Sequence, residues 1–115
     1  MLNEFYGDYY LMNEIDVLEL KKMKDNSEDF ILLDVREKNE IDFASVNPHI
    51  NISVGEIAER HQELEKNKKI IVMCHSGVRS ANVCEYLKPL GYNVYNLNGG
   101  INSWSELIDS SVPIY

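Results

Sequence analysis

Two hydrophobic periods alternate along the chain. The runs at 30–34 (Phe-Ile-Leu-Leu-Asp) and 70–74 (Ile-Ile-Val-Met-Cys) are continuously apolar up to their last residue, the pattern of strands covered by helices on both faces. A run at 92–97 (Tyr-Asn-Val-Tyr-Asn-Leu) predicts a third strand and Ile50-Asn-Ile52 a short fourth. Between them the apolar positions recur at helical spacing. Asp16 is placed to cap a helix carrying Val17, Leu18, Leu20 and Met23. Ser53-Val-Gly-Glu56 has the capping-box pattern and opens a helix with Ile57 and Leu64. Ala81, Val83, Cys84, Leu87 and Leu90 follow at helical spacing until Gly91 stops the run, and Ile101, Trp104 and Leu107 mark a last helix. Strands alternating with helices predict an α/β fold with a mostly parallel sheet.

Length changes this picture little: 115 residues make one domain, with about two-thirds of its unfolded surface buried and no need of a disulfide or metal staple. Residues 15–115 are read as that domain. Residues 1–14, with Phe5, Tyr6, Tyr9 and Tyr10, are an extension, either an edge strand or an arm packed on the body. Charge excludes more. Nineteen acidic against eleven basic side chains leave a net −8, the wrong sign for neutralising phosphates, so neither nucleic acid nor an anionic membrane is expected as partner. A small anion can still bind where the local field is positive. With no apolar run near ~18 residues and no leader pattern, a soluble, cytoplasmic protein is expected. Cys74 and Cys84 are too few for a disulfide framework and lack paired zinc spacing. No cluster reads as a metal site and no cofactor is implied; His61, on a polar helix face, reads as solvated.

The segment 74–80 (Cys-His-Ser-Gly-Val-Arg-Ser) lies between the end of a buried strand and the start of a helix, where open α/β sheets bind ligands. If this loop curls, successive backbone N–H groups point at the Cys74 sulfur, and the helix N-terminus adds its positive end. Both favour the thiolate and lower the thiol pKa below about 8.5. Gly77 permits the backbone angle the curl needs, and Arg79 offers a forked cationic face to an oxyanion. Cys84, among apolar helical neighbours, reads as an inert core thiol. Four residues separate Cys74 from Arg79, one fewer than in cysteine phosphatases, and the narrower cradle argues against phosphate chemistry.

These residues resemble the single-domain rhodaneses, the thiosulfate sulfurtransferase-like family. Cys74 to Arg79 is similar to the family's six-residue active-site loop, Asp34-Val-Arg-Glu37 followed by Glu40 to its second signature, and Asn98-Gly-Gly-Ile followed by Trp104 to its C-terminal one. Pro48-His-Ile-Asn-Ile-Ser53 departs from the family pattern, having Pro in place of Gly and lacking a small Gly-Ala pair. The resemblance implies a three-layer domain with helices on both faces of the sheet. It also implies sulfur transfer through a persulfide of Cys74, with His75, Ser76, Gly77, Val78 and Arg79 binding the substrate. The donor would be a small anion such as thiosulfate, or a persulfide, and the acceptor a thiol, a protein persulfide partner or cyanide. The alternative is a persulfide carrier or interaction module with little activity on free thiosulfate. Asp34 is expected to hydrogen-bond loop amides, Arg36 and Glu40 to pair locally, and Trp104 to pack.

Overall fold

Among the described residues five parallel strands form one sheet: β1 (Glu14–Ile15), β2 (Phe30–Asp34), β3 (Ile50–Asn51), β4 (Lys69–Met73) and β5 (Asn93–Leu97), in the order β1-β5-β4-β2-β3. This is a computed structural model, and it describes residues 13–115; the prediction for the first dozen residues lies outside the described residues. Among the described residues five α-helices complete the fold: α1 (Val17–Asp25), α2 (Lys38–Phe43), α3 (Ile57–Arg60), α4 (Val78–Leu87) and α5 (Gly100–Leu107).

The apolar runs of β2 and β4 alternate across the sheet, as period-2 side chains must. Ile31, Leu33, Ile70, Val72 and Cys74 face one core layer, closed by Ile57, Val83, Cys84 and Leu87 of α3 and α4. Leu32, Ile71 and Met73 face the other, closed by Val17, Leu20 and Met23 of α1 and by Ile101 and Trp104 of α5. Helices on both faces make the expected three layers. The sheet changes direction at β2: β3 lies on one side of it and β4 on the other, so the carboxyl ends of β2 and β4 open a crevice at a topological switch point.

Local signals hold where one residue decides them. Asp16 caps α1, its carboxylate accepting the Glu19 N–H at 2.9 Å. The predicted capping box at 53–56 does not form a cap. Ser53 Oγ donates to the Glu56 carboxylate at 2.9 Å instead, and the long helix expected there is a 3-10 turn (Val54–Glu56), the single turn α3, and a second 3-10 turn (His61–Glu63). His61 is likewise not a solvated residue. Its Nδ1 meets the Tyr92 hydroxyl at 2.9 Å, and that hydroxyl donates to the His61 carbonyl at 2.8 Å, because the 3-10 turn brings it against the start of β5. The Asn47–Pro48 peptide is cis, and His49 Nδ1 donates to the Val46 carbonyl at 3.0 Å.

Candidate active site

Cys74 is the first residue beyond β4 and is 1% exposed, so its sulfur is buried at the carboxyl end of the sheet, beside the switch point. The chain turns through His75 and Ser76 to Gly77, whose φ of 111° is strained for a side-chain-bearing residue. That angle turns the strand exit directly into α4 with backbone amides inward. The Gly77 N–H donates to Cys74 Sγ at 3.1 Å and the Ser80 N–H at 3.3 Å, joined by the Ser76 amide. Ser80, one residue past the predicted cradle, also brings its hydroxyl to 3.3 Å from the sulfur. The same hydroxyl donates to Asn96 Oδ1, and Asn96 Nδ2 donates to the Gly77 carbonyl at 3.1 Å, so a buried side chain of β5 grips the turn at two points. Burial alone would raise the Cys74 pKa, but the Ser80 hydroxyl and the amides of Ser80, Gly77 and Ser76 outweigh it and hold the thiol below its ordinary value. Cys84 lacks these donors; burial, with the charge of Cys74 nearby, pushes it up to about 12.

The back of the loop is fixed by α5. The Ile101 N–H donates to the Cys74 carbonyl at 3.0 Å and the Asn102 N–H to the His75 carbonyl at 3.1 Å, which turns both carbonyls away from the sulfur side. Gly100 makes this approach possible, since a Cβ there would lie 2.5 Å from both carbonyl oxygens. The predicted Asn98-Gly-Gly signature thereby acquires a physical reason.

Around the mouth the charged residues pair differently from the local expectation. Arg36 does not pair with the Glu40 side chain. It is fully buried against Asp34, with Nη2 to Oδ2 at 2.7 Å and Nε to Oδ1 at 3.0 Å, and Asp34 also accepts the Arg36 N–H. Asp34 is thus occupied by Arg36 rather than by the Cys74 loop. Glu40 instead reaches Arg79 across 39 positions in two 2.8 Å hydrogen bonds. The bidentate geometry suits a guanidinium and a carboxylate. Arg79 above all, with the Glu37 amide and the Tyr115 hydroxyl, holds the Glu40 carboxyl at about 2, and Glu40 raises the Arg79 pKa in turn. Tyr115 has no local sequence signal and was missed; its ring stacks on His75 at 4.2 Å and 11°. Val78, predicted to contact substrate, presents its side chain to solvent, 69% exposed at the start of α4. Trp104 packs in the core, as expected. Among the described residues no group of three His, Cys, Asp or Glu side chains is placed to hold a metal ion, and no helix is long and apolar enough to cross a membrane.

A family model described as the rhodanese-like domain matches residues 16–107. A Bacillus subtilis protein named "Putative sulfurtransferase YtwF" is 36% identical over 93 residues, covering 81% of this chain and 90% of that protein. A sulfurtransferase of Allochromatium vinosum is 34% identical over 97 residues, covering 84% and 91%. Among solved structures, a rhodanese-related protein from Thermoplasma volcanium superposes with a TM-score of 0.77 at 36% identity, covering 90% of this chain and 97% of that one.

Proposed function

The chain belongs to the rhodanese-like domain family, and from that premise we propose that it moves sulfane sulfur through a persulfide on Cys74. The observation that carries this reading is the sulfur of Cys74 at the floor of a cradle of inward amides, with a lowered pKa despite burial. In the first half-reaction the Cys74 thiolate attacks the outer sulfur of thiosulfate or of a persulfide. The Sγ–S bond forms as the donor's S–S bond breaks, and sulfite or a thiolate leaves with the bonding pair. The Cys74 persulfide anion then occupies the cradle, where the same amides face its charge. In the second half-reaction an acceptor thiolate or cyanide attacks the outer sulfur and Cys74 returns as thiolate. His75, Ser76, Gly77, Val78 and Arg79 form the mouth through which both partners come, with Ser76 and Gly77 acting through backbone amides.

Intact mass after exposure of the reduced protein to thiosulfate tests the reading. Wild type gains one sulfur, ~32 Da, as covalent catalysis requires; cyanide removes it, and Cys74→Ser gains nothing. Sulfur on the serine variant, or on neither protein with any sulfane donor, overturns it.

A second reading is favoured by one observation: Glu40 occupies both terminal nitrogens of Arg79, so a free dianion meets a neutralised pair on a protein of net charge −8. A donor brought as a protein persulfide escapes part of that repulsion. Faster loading from a protein persulfide than from thiosulfate at equal concentration supports the carrier role; the reverse supports the small-molecule enzyme.

A further inference from the structure

Tyr115 lies 75 positions from Glu40 and 40 from His75 in sequence, yet it touches both. Its hydroxyl accepts from Arg36 Nη1 at 2.8 Å and donates to Glu40 Oε2 at 2.9 Å. Its ring stacks face to face on His75 and makes a T-shaped contact with Phe43, the last residue of α2, at 5.8 Å and 77°. The catalytic loop is therefore held at its second residue by a stack and at Arg79 through Glu40, and one side chain serves both holds.

We infer that Tyr115 is a positioning residue for sulfur uptake: by donating to Glu40 it takes up part of the carboxylate charge and leaves the Arg79 guanidinium able to receive an anionic donor. The charges support this assignment. The buried Asp34–Arg36 pair is anchored in the fold and passes a hydrogen bond outward to the tyrosine oxygen. The tyrosine hydroxyl in turn donates its own hydrogen bond to Glu40, so the polarisation of a buried cation is relayed to the carboxylate. Without the hydroxyl, Oε2 has only Arg79 to neutralise it. The pair then closes more tightly, and an approaching anion must compete with an undiluted carboxylate. The ring contacts are what keep the hydroxyl in register, since His75 stacked on its face and Phe43 in a T-shaped contact fix the ring plane.

This rests on the sulfur-transfer reading for its purpose but is measured without it. Cys74 is alkylated in parallel by anionic iodoacetate and by neutral iodoacetamide at one pH. Their rate ratio cancels the thiolate fraction and reads the field an anion meets. Tyr115→Phe keeps the ring and removes the hydroxyl. The ratio is expected to fall about fivefold, equivalent to a hydrogen bond of ~1 kcal/mol. Thiosulfate loading weakens through KM and the pH midpoint of the iodoacetamide reaction stays in place, while Tm falls modestly because Arg36 Nη1 loses the hydroxyl that accepts from it. Glu40→Ala raises the ratio, and Tyr115→Phe adds nothing in that background. An unchanged ratio in Tyr115→Phe, or a fall that persists without Glu40, overturns the inference. A wild type that takes no sulfur from any donor sinks the sulfur-transfer reading instead, and the ratio still decides the role of Tyr115.

Discussion

The Ser80 hydroxyl has one proton and two neighbours that can accept it. While Cys74 is a thiol, that proton goes to Asn96 Oδ1 and the sulfur can donate its own proton to the hydroxyl oxygen. Once the sulfur ionises, the hydroxyl gains by turning toward it, because a hydrogen bond to a charged acceptor is worth roughly twice a neutral one. Ser80→Ala removes this donor, so the pH midpoint of Cys74 alkylation should rise toward the free-thiol value of about 8.5. A midpoint that does not move would mean the amides of Ser76, Gly77 and Ser80 hold the thiolate unaided. The same variant strands Asn96 Oδ1 in a buried position, at a cost of about 1–3 kcal/mol. The two cysteines make a second test at this scale. With Cys84 at about 12 and Cys74 below its ordinary value, one equivalent of iodoacetamide should label Cys74 alone at pH 8. Label found by peptide mapping on Cys84 would contradict its assignment to the core.

The loop owes its shape to the two helices that bracket it, α4 in front and α5 behind, and each enters through a glycine with positive φ. Their costs of substitution should differ. A Cβ at Gly77 would have its nearest neighbours, the Gly99 nitrogen and the Leu97 carbonyl, at 3.5 Å, an ordinary contact, so Gly77→Ala bears only the backbone penalty of roughly 1–2 kcal/mol. A Cβ at Gly100 would strike the carbonyls of Cys74 and His75, which are backbone and cannot step aside. Gly100→Ala should therefore cost more stability than Gly77→Ala and also slow Cys74 alkylation, as α5 is pushed off the loop it braces. Chemical denaturation of the two variants checks the order; equal losses would mean that α5 and the loop are not rigidly coupled.

At the scale of the whole molecule, α2 and α4 are joined at the mouth by a long-range ion pair, and the fold carries its titration. Glu40 ionises at about 2 in the fold against an ordinary 4.5. A carboxylate whose pKa is depressed by folding contributes its stability in full above the ordinary value, and that contribution disappears as pH falls from about 4.5 to about 2. Glu40→Gln should lower stability at neutral pH and flatten the acid limb of the stability curve within that window. A variant curve parallel to wild type from neutral pH to about 2 would show that Glu40–Arg79 contributes nothing to the pH dependence of folding.

Much of the architecture was legible because its signals are local. β2 begins and ends where its apolar run does, and β4 is displaced from its run by one residue. The Cys-to-Arg loop between a strand and a helix pointed to the cysteine without any tertiary information, since a strand end, a glycine and a helix start are set within a few residues. Local rules failed where a side chain had a distant partner. Arg36 and Glu40, four apart, looked like a pair; Arg36 turned inward to Asp34, and Glu40 crossed to Arg79. Ser53 and Glu56 looked like a cap and made a surface contact with each other.

The sequence by itself determined the α/β class and the two-sided core of β2 and β4, and it singled out Cys74 as the candidate nucleophile, because periodicity and chain direction act over neighbouring residues. Only the tertiary structure decided which donors reach the sulfur, which carboxylate holds Arg79, and that Tyr115 stands between His75 and Glu40. Those choices depend on strand order, which sets β2, β4 and β5 side by side and brings residues 36, 40, 74, 79, 96 and 115 to one end of the sheet. Charge and hydrogen-bond energies fall off within a few ångströms, so partners are chosen by distance in space, and distance in space is what the packed sheet creates.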